Sequence, residues 1–242
     1  MLKPEHSLIA FTTSELPPGP WLVFAPHADD ETFGMGGSLV KAHQAAIETH
    51  VIVVTDGALG GESSNLVETR RQEAQAATEM LGVSSLQFWS EPDRELIPSD
   101  SLIANARQAI VSSKAASVFF PGPLELHPDH RATAQLVWQA LQSMRGVNAI
   151  PQIYAYEIGV QNPANRLIDI SAQRITKDCA MSLYASQNSQ NSYPELVIAL
   201  NKARTFTLPE TVEYAEGFYQ FETGELEKTL REVSHAILDL YF

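Results

Sequence analysis

The feature that most constrains the fold is a regular alternation of short apolar runs with helical patterns. Strand-like runs occur at 21–26, 50–55, 85–89, 117–121 and 152–158, and helical patterns at about 36–48, 66–81, 100–114 and 130–145. The apolar runs are not interrupted by polar residues at every second position, which is typical of strands buried on both faces of a parallel sheet. The pattern predicts a doubly wound α/β sheet with helices on both faces.

The last third of the chain is less regular. A further strand is predicted at 167–170, with helices over about 172–186, 194–203 and 224–240. We interpret residues 161–242 as an extension packed on a core of about 20–160, so that residues 1–242 form a single domain.

The composition excludes several classes of function. The net charge of −13 argues against nucleic acid or an anionic membrane surface as the main partner. The single cysteine, Cys179, excludes an intramolecular disulfide and a multi-cysteine zinc site, and we interpret it as a small packing residue. The first residues lack a signal-peptide pattern and no apolar run reaches the ~20 residues of a membrane span, which predicts a cytoplasmic protein. The oligomeric state stays open, a homo-oligomer included.

Polar clusters follow four of the predicted strands at their carboxyl ends. These clusters are His27–Glu31, Asp56-Gly57, Ser90–Asp93 and Gly122–His130. Open α/β sheets bind ligands beyond the carboxyl ends of their strands. Because all four clusters fall on the same predicted edge, the sequence predicts one ligand site there.

The two histidine-containing clusters predict a metal centre. Three acids and an imidazole within residues 27–31 would repel one another without a cation, and neutral imidazoles with carboxylates are common zinc ligands. We predict His27, Asp30 and His130 as ligands, which leaves one coordination position for water. Zinc is the predicted metal, with ferrous iron as the alternative.

The residues beside these ligands predict hydrolysis. Asp29 is the predicted general base, because it is next to a ligand and its side chain should diverge from that of Asp30. His127 is predicted to stabilise an oxyanion or protonate a leaving amine, and Asp129 to hold its tautomer. The sequence leaves open which acid orients which imidazole.

The two motifs resemble those of the LmbE-like, or PIG-L, family of N-acetylglucosaminyl deacetylases, which read His-Pro-Asp-Asp-Glu and His-Pro-Asp-His. Here they are His27-Ala28-Asp29-Asp30-Glu31 and His127-Pro128-Asp129-His130. Softer similarities bring the resemblance to about residues 20–220; they are Thr55–Gly57, Arg70–Ala74, Leu81–Val83, Lys177, Ala180, Ser186-Gln187 and Tyr214–Phe218.

The resemblance implies a Rossmann-like fold and one zinc ion that serves in hydrolysis of N-acetyl groups on glucosamine-containing sugars. It implies the same roles for the two motifs as above, and it adds substrate contacts for Arg70 and Asp93. Alternatively, Arg70 is a solvated helix residue and Asp93 is a turn residue. The chain departs from relatives at Glu125, where some have tyrosine, and at Tyr184, where many have histidine. Acid catalysis and substrate shape are therefore expected to differ from theirs.

The sequence therefore predicts a zinc-dependent N-deacetylase that removes an acetyl or small acyl group from an amino sugar or a glucosamine-containing conjugate. One alternative is an amidase that acts on a non-sugar N-acyl substrate. Another is a non-catalytic ligand-binding protein on the same scaffold, against which the intact Asp29 argues. A nucleotide-binding protein is disfavoured because the first turn lacks a glycine-rich phosphate loop.

Overall fold

A seven-stranded sheet organises the chain. The computed structural model describes residues 8–61, 65–146, 149–189 and 191–241, and the N-terminal segment used for the signal-peptide prediction lies outside them. The strands are β1 (Trp21–Ala25), β2 (Thr49–Thr55), β3 (Ser85–Glu91), β4 (Ser117–Pro121), β5 (Gln152–Tyr156), β6 (Arg166–Asp169) and β7 (Ala215–Phe221). The helices of the described part are α1 (Asp30–Gln44), α2 (Leu66–Leu81), α3 (Asp100–Ser112), α4 (Pro128–Ser143), α5 (Arg174–Ser182), α6 (Ala185–Asn188), α7 (Tyr193–Ala203) and α8 (Leu230–Leu238).

The topology is that of a doubly wound sheet with an antiparallel edge. The strand order is β3-β2-β1-β4-β5-β7-β6. Strands β1 to β5 pair in parallel, whereas β7 pairs antiparallel with β5 and β6. The order reverses between β1 and β4, and such a switch point is where open α/β sheets place their ligands. The predicted mostly parallel α/β fold is confirmed.

Helices cover both faces of the sheet, which explains why the strands read as continuous apolar runs. All residues of β1 are buried, and successive side chains enter opposite cores. Trp21 and Val23 join a core that includes side chains of α1, α2 and α5. Leu22 and Phe24 join a second core with side chains of α3, α4 and α8. Within the described ranges, no helix is both long and apolar enough to cross a bilayer.

The C-terminal extension differs most from its prediction. It adds β7 to the sheet, a strand that the sequence pattern did not reveal because it carries Gly217 and a buried acid, Glu216. The helix predicted over 224–240 is a short 3-10 helix at Thr223–Glu227 followed by α8. A reciprocal capping box between Thr229 and Glu232 starts α8 anew at that point. Cys179 is exposed, so its interpretation as a packing residue was wrong.

A buried ion pair joins the extension to α1. The Lys177 ammonium on α5 donates to Glu216 Oε1 at 2.7 Å, and both side chains are fully buried. The same carboxylate accepts the backbone N–H groups of Gly37 at 2.8 Å and Ser38 at 2.7 Å. Asn201 on α7 accepts a further hydrogen bond from the ammonium at 2.9 Å. The pair thus fixes α1, α5, α7 and β7 relative to one another.

We expect Glu216→Gln to lower the free energy of unfolding by about 3–5 kcal/mol, because it leaves the buried Lys177 ammonium without its counter-charge. Urea denaturation followed by circular dichroism measures the change. The matched control is Glu227→Gln on the exposed surface, where a change within about 0.5 kcal/mol is expected. Equal midpoints for the two variants would show that the ion pair contributes nothing to stability.

Candidate metal and active site

A cavity of about 570 Å³ lies at the carboxyl edge of the sheet. Its lining comes from the loops that follow β1, β2, β3, β4 and β5, together with residues of α1, α2, α4, α6 and α7. The predicted site residues His27, Asp29, Asp30, Arg70, Asp93, His127 and His130 all line it. Three of the four clusters predicted at one edge therefore contribute to this cavity, whereas Asp56 and Gly57 of the fourth do not line it.

The first cluster is shaped by the start of α1. Asp30 and Glu31 occupy the first turn of this helix, where the helix dipole favours negative charge. The backbone N–H of His27 donates to Asp30 Oδ2 at 2.9 Å, and His27 Nδ1 lies 3.2 Å from the same oxygen. The loop is thereby folded so that the His27 imidazole and the Asp30 carboxylate face each other.

The second cluster is shaped by the start of α4. His127 is the N-cap, its Nδ1 accepts the backbone N–H of Asp129 at 3.3 Å, and Pro128 opens the helix. His130 also lies in the first turn of α4, and its Nε2 is 3.3 Å from Oδ2 of Asp30 in the first cluster. One carboxylate oxygen therefore faces ring nitrogens of two histidines from different elements.

The three imidazoles of the site form a compact group. The ring centroids are 4.6 Å apart for His27 and His127, 5.4 Å for His27 and His130, and 5.2 Å for His127 and His130. Potential ligand atoms within 4.8 Å of one another form two overlapping sets, His27 with His127 and His130, and His27 with Asp93, His127 and Asp129. Neither of these two sets includes Asp30, so the set of His27, Asp30 and His130 stays a prediction.

Asp129 lies beside a different imidazole from the predicted one. Its Oδ2 is 3.2 Å from His27 Nε2 but 4.0 Å from His127 Nδ1. The same oxygen accepts the backbone N–H of Arg94 at 2.7 Å. The cap geometry of α4 explains the difference, because it commits His127 Nδ1 to the Asp129 backbone instead of the Asp129 side chain.

Arg70 is buried and is not a solvated helix residue. Its guanidinium donates to Asp29 Oδ2 at 3.3 Å and to the carbonyl of Gly57 at 3.1 Å. Burial raises the pKa of the Asp29 carboxyl, and the Arg70 charge opposes that shift. Arg70 therefore holds the side chain of Asp29 in place, in addition to lining the cavity.

Asp93 is buried as well and is more than a turn residue. Its Oδ1 lies 3.4 Å from His27 Nε2, and its Oδ2 accepts the backbone N–H of Leu59 at 3.0 Å. Burial acts to raise the pKa of this carboxyl, but the contact with His27 holds it well below its usual range. A direct contact of Asp93 with a substrate hydroxyl stays a prediction.

Two further acids form part of the site, although reasoning from the sequence assigned a role to neither. Glu125 is buried, and its Oε2 lies 3.6 Å from Nδ1 of His130. Glu31 accepts hydrogen bonds from the hydroxyls of Tyr184 at 2.7 Å and Thr32 at 2.9 Å, and burial raises its pKa to about 7. Tyr184 thus supports the first motif from the start of α6. For Glu125, the signal was its place two residues before the second motif.

The donor set of the cavity fits a divalent cation. Six carboxylates are buried around the cavity and its first loop: Asp29, Asp30, Glu31, Asp93, Glu125 and Asp129. Asp30 Oδ2 and the two ring nitrogens that face it all present lone pairs unless a proton or a cation lies between them. Imidazole nitrogens and carboxylate oxygens at one point form the usual donor set for zinc and for ferrous iron.

The chain resembles known deacetylases in sequence and fold. Residues 22–141 match the family model described as PIG-L, GlcNAc-PI de-N-acetylase. A probable N-acetyl-alpha-D-glucosaminyl L-malate deacetylase 2 of Bacillus anthracis is 26% identical over 215 residues, which cover 81% of this chain and 91% of the relative. The conserved protein TT1542 of Thermus thermophilus has a TM-score of 0.73 at 26% identity, over 82% of this chain and 93% of that one. The N,N'-diacetylchitobiose deacetylase of Pyrococcus horikoshii has a TM-score of 0.77 at 23% identity, over 87% and 86% of the two chains.

Proposed function

We propose that this chain, which carries a PIG-L family domain over residues 22–141, is a zinc-dependent N-deacetylase acting on an amino sugar or a glucosamine-containing conjugate. The observation that carries the proposal is the position of Asp30 Oδ2, at 3.2 and 3.3 Å from ring nitrogens of His27 and His130, with Asp29 beside it in the same cavity. Such an arrangement supplies two imidazoles and a carboxylate for one metal ion and a second carboxylate for proton transfer.

His27, Asp30 and His130 would hold the ion. When bound, a divalent ion of this kind acidifies water and polarises a carbonyl oxygen, which makes amide hydrolysis feasible at neutral pH. Asp29 would take the proton from the attacking water, and the Arg70 guanidinium keeps its carboxylate oriented into the cavity. The carbonyl carbon gains a bond to the water oxygen and loses its bond to nitrogen, so that acetate and a free amine result.

The tautomer of His127 suits it for contact with the oxyanion. Because its Nδ1 accepts the backbone N–H of Asp129, the proton of the neutral ring resides on Nε2. This N–H is then free to donate toward the negative oxygen of the tetrahedral intermediate. The proton collected by Asp29 is available for the departing amine.

Metal removal and acetate release test the proposal. The protein is stripped with a chelator, reloaded with Zn²⁺ or, without oxygen, Fe²⁺, and assayed on N-acetylglucosamine, N,N'-diacetylchitobiose and a simple N-acetyl amine. We expect acetate release only after reloading, and faster release from the sugars. Release from the simple amide alone would favour a general amidase, and no release with either metal would favour a ligand-binding protein. The cytoplasmic location stays a prediction, and the oligomeric state stays open.

We propose that Glu125 orients the His130 ring through its Nδ1, the nitrogen that does not face Asp30. The carboxylate accepts the backbone N–H groups of Ile158 at 2.9 Å and Gly159 at 3.1 Å, and the side-chain amide of Asn162 at 3.1 Å. It is thus fixed beside Nδ1, whereas Nε2 faces Asp30. In most metal sites, a group such as a carboxylate binds the second ring nitrogen of a ligand histidine and thereby orients the ring.

We expect Glu125→Gln to weaken metal binding about 10–100-fold, because the amide no longer offers two anionic oxygens to Nδ1 and the backbone. Competition with a chromogenic chelator measures the affinity. Glu79→Gln on the exposed face of α2 is the matched control and should leave the affinity unchanged. An unchanged affinity in Glu125→Gln itself would mean that the carboxylate serves only the loop after β5.

A further inference from the structure

The cavity has two unlike walls. The polar wall is formed by the side chains of Arg70, Asp93, Arg94 and Gln187. The apolar wall consists of Phe33, Ile158, Val160, Tyr193, Leu196, Val197 and Leu200. Sugar hydroxyls match the first wall, because each needs a polar partner when it leaves water. Sugar hydroxyls do not match the apolar wall, which would fit an apolar group of the substrate.

The apolar wall is mainly one face of α7. Tyr193, Leu196, Val197 and Leu200 follow the spacing that puts side chains on one side of a helix. Val197 is buried in the core and anchors the helix, whereas Leu196 remains 52% exposed and Tyr193 38% exposed. The face is therefore packed at its base and open to the cavity at its rim.

The apolar wall begins next to the predicted metal ligands. Phe33 is one turn after Asp30 on α1, is buried, and its ring lies 6.1 Å from that of Tyr193. Ile158 continues the wall near His130. Its backbone N–H donates to Glu125, whose Oε2 lies 3.6 Å from His130 Nδ1. An apolar group on this wall would thus be attached close to the scissile amide.

We propose that the substrate is an amphiphilic amino sugar that carries an alkyl or aryl group of several carbons on the α7 wall. The inference rests on the proposed deacetylase function and names the substrate class of the same site. An acetyl group is too small to cover a wall that extends from Phe33 to Leu196, whereas each further buried methylene should improve binding roughly fourfold. The apolar group is either the N-acyl chain itself or the aglycone on the anomeric carbon.

Three matched substrates distinguish these sources. They are the methyl β-glycoside of N-acetylglucosamine as the reference, the hexyl β-glycoside of N-acetylglucosamine, and the methyl β-glycoside of N-hexanoylglucosamine. We call the last two the hexyl compounds. Release of the free amine gives kcat/KM for each, and calorimetric titration of the metal-loaded Asp29→Asn variant, which is expected to turn substrate over slowly, gives Kd. We expect one hexyl compound to exceed the reference about tenfold or more in kcat/KM and in affinity. If the hexyl glycoside is the preferred substrate, the aglycone contacts the apolar wall. If the hexanoyl amide is preferred, the acyl chain does.

Leu196→Gln is the variant that tests the wall. It should bring the ratio of the favoured hexyl compound to the reference toward one, while Ile175→Gln, at a 71% exposed apolar residue on α5, should leave the ratio as in the parent. The inference is overturned if neither hexyl compound exceeds the reference, or if the ratio survives in Leu196→Gln. Turnover of the reference without a hexyl preference leaves the deacetylase proposal intact. No turnover of any substrate by the metal-loaded protein removes the deacetylase proposal, and the Kd ratio still decides on the wall.

Discussion

Replacing His130 with alanine is expected to remove the bound metal and to abolish acetate release. The imidazole lies in the first turn of α4 with Nε2 toward Asp30, so its loss deletes one of three proposed ligands and the link between the two clusters. We expect metal affinity to fall by more than the roughly 10–100-fold that an outer partner such as Glu125 contributes. Metal content by mass spectrometry after dialysis measures the effect, and urea denaturation checks that the variant folds.

His235→Ala is the matched control, because this histidine is exposed on α8, away from the cavity lining. It should keep one equivalent of metal. The same measurement on Asp30→Asn and Asp93→Asn distinguishes the ligand sets that the geometry allows. The proposed set requires that metal is lost in Asp30→Asn and kept in Asp93→Asn. Full metal content in His130→Ala, or loss in Asp93→Asn alone, would show that the ligands are assigned wrongly.

Replacing Asp29 with asparagine is expected to keep the metal and lower kcat about 10²–10⁴-fold, the usual contribution of a general base. The amide retains the size of the side chain and one oxygen for the Arg70 guanidinium, which donates to Asp29 Oδ2 at 3.3 Å in the parent. It cannot take a proton from water. Steady-state acetate release and metal content, measured on the same preparation, separate loss of the base from loss of the ion.

Asp239→Asn near the C-terminus serves as the control for this substitution, because its carboxylate is exposed and distant from the first loop in sequence. Its kcat should equal that of the parent. If Asp29→Asn also retains the parent kcat, another group removes the proton. In that case Asp93 and Asp129 are the next candidates, since both carboxylates lie within 3.4 Å of His27 Nε2.

Arg70 and Asp129 show where reasoning from the sequence stopped. The motif spacing placed Arg70 on a helix after the second strand, and either a solvated or a substrate-facing side chain agreed with that position. Burial against Asp29 and Gly57 was set by the approach of α2 to the first loop, which no local pattern records. The pairing of Asp129 with His27 in place of His127 likewise depended on how two loops meet.

The sequence by itself determined the class of fold and the edge that carries the site. Apolar runs without alternation require a sheet buried on both faces, and parallel strands bring their carboxyl ends, with His27–Glu31 and Gly122–His130, to one edge. Only the tertiary structure decided that β7 lies antiparallel between β5 and β6, that Glu125 lies behind His130, and that one face of α7 forms an apolar wall. Periodicity is a local property that neighbouring residues fix, whereas contacts between side chains from distant elements depend on how those elements pack together.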